Sequence, residues 1–130
     1  MAAEKKYLSL MEAARKAAKN SYSPYSKFAV GSAALAASGK IYAGANVENV
    51  SYGLSMCAER IAIFKAVNAG EKRIIAVAVW TKGAKPPFPC GACRQVIAEF
   101  ASNAEIIVNT KKGIKIIGAE SLLPHAFKKC

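Results

Sequence analysis

Two short stretches constrain this chain more than anything else in it: Cys57-Ala58-Glu59 and, further on, Pro89-Cys90-Gly91-Ala92-Cys93. Three of the four cysteines lie in them, and each stretch opens a helical pattern. After Cys57 the apolar residues Ile61, Phe64 and Val67 recur at helical spacing until Gly70 stops them. After Cys90 the residues Val96, Ile97 and Phe100 do the same, and Pro89 stands just ahead of that helix, where proline is tolerated. Cys90 and Cys93 are three apart, so a helix puts both sulfurs on one face.

Two helix N-termini carrying thiols suit zinc. The thiolate is the form that binds metal, and the positive end of a helix dipole favours it. A catalytic zinc usually takes three protein ligands and leaves the fourth position to water. Cys57, Cys90 and Cys93 are the expected three. Glu59, two residues beyond Cys57, can then reach that water without being a ligand. Zinc lowers the pKa of such a water to about 7, and a carboxylate beside it can accept the proton. Taken alone, Cys-x-x-Cys also fits a redox pair. A closed structural zinc site using Cys130 is a further alternative, although a terminal residue behind Lys128 and Lys129 reads better as an incidental tail thiol. Either alternative leaves Glu59 without a role.

Composition narrows the class. A length of 130 residues predicts one domain spanning 1–130, and a hydrophobic fraction of 53% is that of a globular core. No apolar run is long enough for a membrane span, so no membrane partner is expected. The first twenty residues form a charged, alanine-rich helical pattern rather than a signal peptide, and Glu4 and Glu12 argue against a transit peptide. A reducing, cytoplasmic setting is the expectation, and it suits metal-binding thiols. The net charge of +11 raises nucleic-acid binding. However, 15 of the 19 cationic residues are lysines scattered along the chain, without an arginine stripe or interleaved aromatics. A solvated lysine-rich surface is the better reading, with no nucleic-acid partner. Aspartate is absent, so carboxylate chemistry must use one of eight glutamates.

Along the chain, residues 4–20 read as a helix with Leu8, Met11, Ala14 and Ala18 on one face. Ser21 to Lys27 is a turn-rich link broken by Ser23-Pro24. Phe28 to Ala37 and Lys40 to Val47 read as strands joined by a Ser38-Gly39 hairpin turn. Arg73 to Thr81 is an apolar run, as in a strand buried on both faces. Lys82 to Pro89 is a loop, Glu105 to Thr110 a strand, Lys111-Lys112-Gly113 a turn, and Ile114 to Ile117 a short last strand. Ala119 to Leu123 reads as a brief helix. Strands alternating with helices after an opening hairpin predict a layered α/β domain with a mixed sheet.

Asn46 and Glu48 are two apart on the second strand, which predicts that they share a side. An amide and a carboxylate can bracket a sugar hydroxyl, one donating and the other accepting; a polar strand end in water is the plain alternative. Arg60 and Arg94 each directly follow a proposed site residue. Three thiolates on Zn²⁺ leave a net charge of −1, and guanidinium groups can donate hydrogen bonds to sulfur and offset it. Helix-surface arginines in ion pairs are the alternative.

Several segments together carry a family likeness. They are Ser23-Pro24-Tyr25-Ser26-Lys27-Phe28, Asn46-Val47-Glu48-Asn49, Cys57-Ala58-Glu59-Arg60, Pro89-Cys90-Gly91-Ala92-Cys93-Arg94-Gln95 and Leu122-Leu123-Pro124. From about Tyr22 to Phe127 the chain resembles the small homotetrameric cytidine deaminases, and cysteine followed by glutamate and then Pro-Cys-x-x-Cys is close to the signature of zinc deaminases. The resemblance implies a three-layer α/β/α fold around a five-stranded mixed sheet, one Zn²⁺ per chain, and deamination of cytidine and 2′-deoxycytidine in pyrimidine salvage. It implies that Asn46 and Glu48 hold the ribose, and that Phe28 and Phe127 stack on the base, Phe127 from a neighbouring subunit. It also implies that Ala58 offers its backbone to the base and that the carbonyl of residue 88 binds the amino group. Phe88 departs from the family's usual serine. His125, the one histidine, departs from a usual small residue and reads as part of the tail rather than a ligand.

Overall fold

The computed structural model describes residues 2–83 and 85–128. Helix α1 (Ala2–Ala17) tightens into a 3-10 turn at Ala18–Asn20, and a hairpin follows, β1 (Val30–Ala36) and β2 (Ile41–Ala45). Then come α2 (Ala58–Asn68), β3 (Ile74–Thr81), α3 (Gly91–Phe100), β4 (Glu105–Thr110) and β5 (Gly113–Gly118). A 3-10 turn at Ala119–Leu122 precedes the tail. The strands make one sheet in the order β2-β1-β3-β4-β5. β1 runs antiparallel to both its neighbours, β3 and β4 are parallel, and β5 is antiparallel to β4. The mixed five-stranded sheet expected from the sequence is therefore present.

The layers follow from the period of two along the strands. On one face Leu10, Met11 and Ala14 of α1 pack on Ala33, Leu35, Ala76, Ala78 and Ile107. On the other face Ala58, Ala62, Ile63 and Ala66 of α2, with Ile97 of α3, pack on Val30, Ala34, Val77, Val79, Ile106 and Val108. β3 is apolar up to Thr81 because it is covered twice, with alanines under α1 and valines under α2 and α3. Small residues set the spacing on the α1 side. A Cβ at Gly31 would stand 1.9 Å from the Ala14 carbonyl oxygen, so the helix backbone rests almost directly on β1.

α2 ends as its sequence demands. Gly70 has φ +90°, its N–H bonds to the Val67 carbonyl, and the Glu71 N–H reaches back to that of Ala66. That pair of bonds is the Schellman closure, which needs a residue tolerant of the left-handed region. Two strand ends differ from expectation by two residues and the rest by one at most. β1 starts at Val30 rather than Phe28, and β2 stops at Ala45 rather than Val47. The cause is Asn46, whose side chain bonds the Phe28 carbonyl and the Val30 N–H in place of ladder partners. Val47 bridges Tyr22 and Met56 instead of continuing the hairpin. The 3-10 turn at Tyr52–Leu54 had no counterpart in the sequence reading.

Candidate metal centre and active site

Cys57 and Cys90 are the N-cap residues of α2 and α3, both with extended backbone (φ −74°, ψ 152° and φ −70°, ψ 172°). An N-cap side chain ordinarily accepts a bond from the free N–H groups of the first turn. Neither cysteine does so, which leaves both sulfurs available at the positive ends of their helices. Cys93 lies one turn into α3 and is fully buried. The Sγ atoms of Cys57 and Cys90 are 3.6 Å apart, those of Cys90 and Cys93 are 3.5 Å apart, and all three fit within 4.8 Å of one another. Tetrahedral zinc with bonds of about 2.3 Å to sulfur needs sulfurs about 3.8 Å apart. The donor set fits the metal.

Charge supports that fit. Cys57 is pulled down to about 5, chiefly by a hydrogen bond from Cys93, with Arg60 and Cys90 helping against burial. Cys93 moves the other way, held protonated by its bond to Cys57 and by burial. A metal replaces the proton that this pair shares. Arg60 Nη2 donates to Cys57 Sγ at 3.4 Å. Its Nε is buried and, among the described residues, is the one such side-chain nitrogen or oxygen without a hydrogen-bond partner. A cation held this way offsets the excess charge of a tris-thiolate site. Arg94 behaves differently from what its position suggested. Its Nε donates to the Pro89 carbonyl at 2.8 Å and its Nη1 to the Leu122 carbonyl at 2.9 Å, so it braces the ligand loop and does not bond to a sulfur.

Glu59 sits in the first turn of α2 and is only 5% exposed. Burial raises its pKa to about 7, and the Cys57 charge adds to that, while its own N–H, Cys93 and Arg60 oppose it. A carboxyl poised there can both take and return a proton near neutrality. Ala58, the residue between, is fully buried, and as the first residue of α2 its N–H has no partner within the helix.

Asn46 and Glu48 lie beyond the end of β2, so the strand alternation that paired them does not apply. Both are committed to the segment before β1. Asn46 Oδ1 accepts from Val30 N at 2.9 Å and from Ser21 Oγ, and its Nδ2 donates to Phe28 O at 2.8 Å. Glu48 Oε1 accepts from Tyr25 N at 2.9 Å and Ser26 N at 3.1 Å, and Oε2 accepts from Ser26 Oγ. One amide hydrogen on Asn46 and acceptor capacity on Glu48 Oε2 remain. Glu48 also lines a cavity of 360 Å³ with Tyr25, Ser26, Tyr52 and Ser55. Phe28 is 47% exposed and Phe127 is 85% exposed. Phe88 is half-covered, with the Lys115 ammonium 5.7 Å from its ring centre. Cys130 lies outside the described residues. The role of Ser26 in seating Glu48, and a bond from Gln95 to the tail, carried no signal in the sequence, because each depends on a partner distant along the chain.

A thiol-bound metal with a protonatable carboxylate at its side is the working unit of zinc deaminases, and this sheet with its two capped helices is built to present it. Residues 4–110 match the family described as the cytidine and deoxycytidylate deaminase zinc-binding region. The cytidine deaminase of Sporosarcina psychrophila is 47% identical over 122 residues, covering 92% of this chain and 90% of that one. That of Halalkalibacterium halodurans is 45% identical over 120 residues, covering 91% of each. The crystal structure of cytidine deaminase from Burkholderia pseudomallei superposes with a TM-score of 0.87 at 44% identity, over 92% of this chain and 98% of that one. The chain belongs to the zinc-dependent cytidine deaminase family.

Proposed function

We propose that residues 1–130 act as a single zinc-dependent nucleoside deaminase domain that converts cytidine and 2′-deoxycytidine to uridine and 2′-deoxyuridine with release of ammonia, a step of pyrimidine salvage. The observation that carries the reading is the meeting of three thiols beside one buried glutamate. Cys57, Cys90 and Cys93 hold the zinc, and Arg60 balances its ligand charge. When bound, zinc supplies a polarised water that loses its proton near neutral pH.

The chain's own residues do the rest. Glu59 takes a proton from the attacking water and passes it to ring N3 while the water oxygen adds to C4. The carboxylate so regenerated takes the second proton from the hydroxyl now on C4 and gives it to the amine, which leaves as ammonia while the C4 carbonyl forms, so one residue serves as base and acid in turn. The Ala58 backbone and the carbonyl of Phe88 orient the base, Asn46 and Glu48 bind the ribose through the hydrogen-bonding capacity left to them, and Phe28 packs on the ring. Phe127 reaches the site of a neighbouring subunit in a homotetramer. The setting is the cytoplasm, in keeping with reduced thiols; among the described residues no helix is long and apolar enough to cross a membrane.

The test is the ultraviolet absorbance of cytidine incubated with purified protein beside Glu59→Ala. Loss of the cytosine band with the unaltered chain alone is expected, with a fall of about 10²–10⁴-fold or more in the variant. Equal turnover in both would remove Glu59 from the mechanism. No turnover in either, with one zinc per chain present, would point to another cytosine-bearing substrate.

A further inference from the structure

The start of α3, from its N-cap Cys90 to Gln95, serves two sites. Cys90 and Cys93 turn their sulfurs toward the metal centre, whereas Arg94 and Gln95 reach the C-terminal segment. One Arg94 guanidinium bonds both the Pro89 carbonyl, next to Cys90, and the Leu122 carbonyl, at the start of the tail. Gln95 Nε2 then donates to the Phe127 carbonyl at 3.0 Å. Among the described residues no other side chain hydrogen-bonds to Phe127. Between these two anchors the chain turns at His125, whose φ of +56° is the left-handed conformation that residues other than glycine rarely adopt.

The outcome is an aromatic side chain left 85% exposed on a backbone that is held in place. A hydrogen bond spent there fills no core, so core packing does not account for it. It fixes where a large apolar ring is presented. We propose that Gln95, with Arg94 behind it, is a positioning clamp for Phe127, so that the turn carrying the metal ligands also sets affinity for the nucleoside. This rests on the reading that Phe127 meets the substrate base. Gln95 touches neither the metal nor the reacting atoms, so the clamp acts on binding and not on the chemical step.

Gln95→Glu keeps the shape of the side chain but replaces the donor with an acceptor facing the Phe127 carbonyl. The expected result is a rise in KM for cytidine of about 3- to 10-fold, the range that one lost hydrogen bond allows. Zinc per chain should hold, kcat should stay within about two-fold, and amide exchange over residues 125–128 should quicken. Phe127→Ala should also raise KM, and the double variant should be no worse than Phe127→Ala, because the two residues act through one contact. Unchanged exchange in Gln95→Glu would overturn the clamp. Faster exchange with unchanged KM, or a penalty that adds in full to that of Phe127→Ala, would overturn its link to the substrate. If Phe127→Ala leaves KM unchanged while Gln95→Glu frees the tail, the failure lies in the reading of Phe127 and the proposal falls with it. Should Gln95→Glu not fold, Gln95→Met removes the donor at similar length and carries the same expectations.

Discussion

Arg60 and Arg94 occupy equivalent places after their site residues, yet their surroundings divide their work. Arg60 touches a ligand sulfur, so Arg60→Gln should weaken zinc binding by about 10–100-fold in a chelator competition. Arg94 touches carbonyls, so Arg94→Gln should lower turnover while zinc per chain largely holds; unchanged turnover would remove it from the machinery. Glu48 makes a separate prediction. Its pKa is held below the ordinary 4.5 by the Ser26 hydroxyl, with backbone N–H groups of Ser26 and Tyr25 assisting. A carboxyl lowered on folding stabilises the fold above its unfolded value, and that contribution is lost as pH falls through the folded one. Thermal melting should therefore show the unaltered chain losing stability relative to Glu48→Gln as pH drops below about 4.5, with the gap constant at neutral pH. A gap that stays constant throughout would mean that the Glu48 bonds carry no net stability. At this scale the meeting of three thiols near Glu59 was legible because their spacing is local to two helix starts. The commitments of Asn46 and Glu48 were not, since their partners come from a segment some twenty residues earlier.

α1 is docked through backbone contact as well as through side chains. A methyl group at Gly31 would strike the Ala14 carbonyl and the Ala18 amide, and neither can yield without moving the helix. Gly31→Ala should cost about 1–3 kcal/mol in urea unfolding, the range for overpacking. Gly118→Ala, where a new Cβ meets nothing within 4 Å, is the matched control and should change little. All three helices and all five strands could be located from helical spacing, apolar runs and turn signals, even though β1 and β3 are covered on both faces and β5 has no buried residue. Where the reading slipped, a side chain had replaced the ladder. Asn46 ends two strands at once, and a residue type favoured in turns gives no hint that it will do so.

At the scale of the molecule, the loop after β2 leaves Val50 77%, Tyr52 74% and Leu54 70% exposed. Apolar side chains gathered in one exposed segment mark a candidate contact surface. In keeping with the proposed homotetramer, sedimentation should give a mass near four times 13.7 kDa, and Tyr52→Glu should shift it downward. A chain that sediments as a monomer while turning over cytidine would remove the neighbouring subunit from the site. The lysine-rich charge gave no clue to this, because it is scattered along the chain. The placement of the three thiols also bears on how the protein comes into being. Cys90 and Cys93 are neighbours from the moment they are made, but Cys57 is separated from them by the whole of β3. In the folded chain β3 lies between β1 and β4, and the starts of α2 and α3, before and after it in sequence, bring the three sulfurs together. An ion held by all three has its site only in the folded chain, so binding it favours the finished fold over the unfolded one.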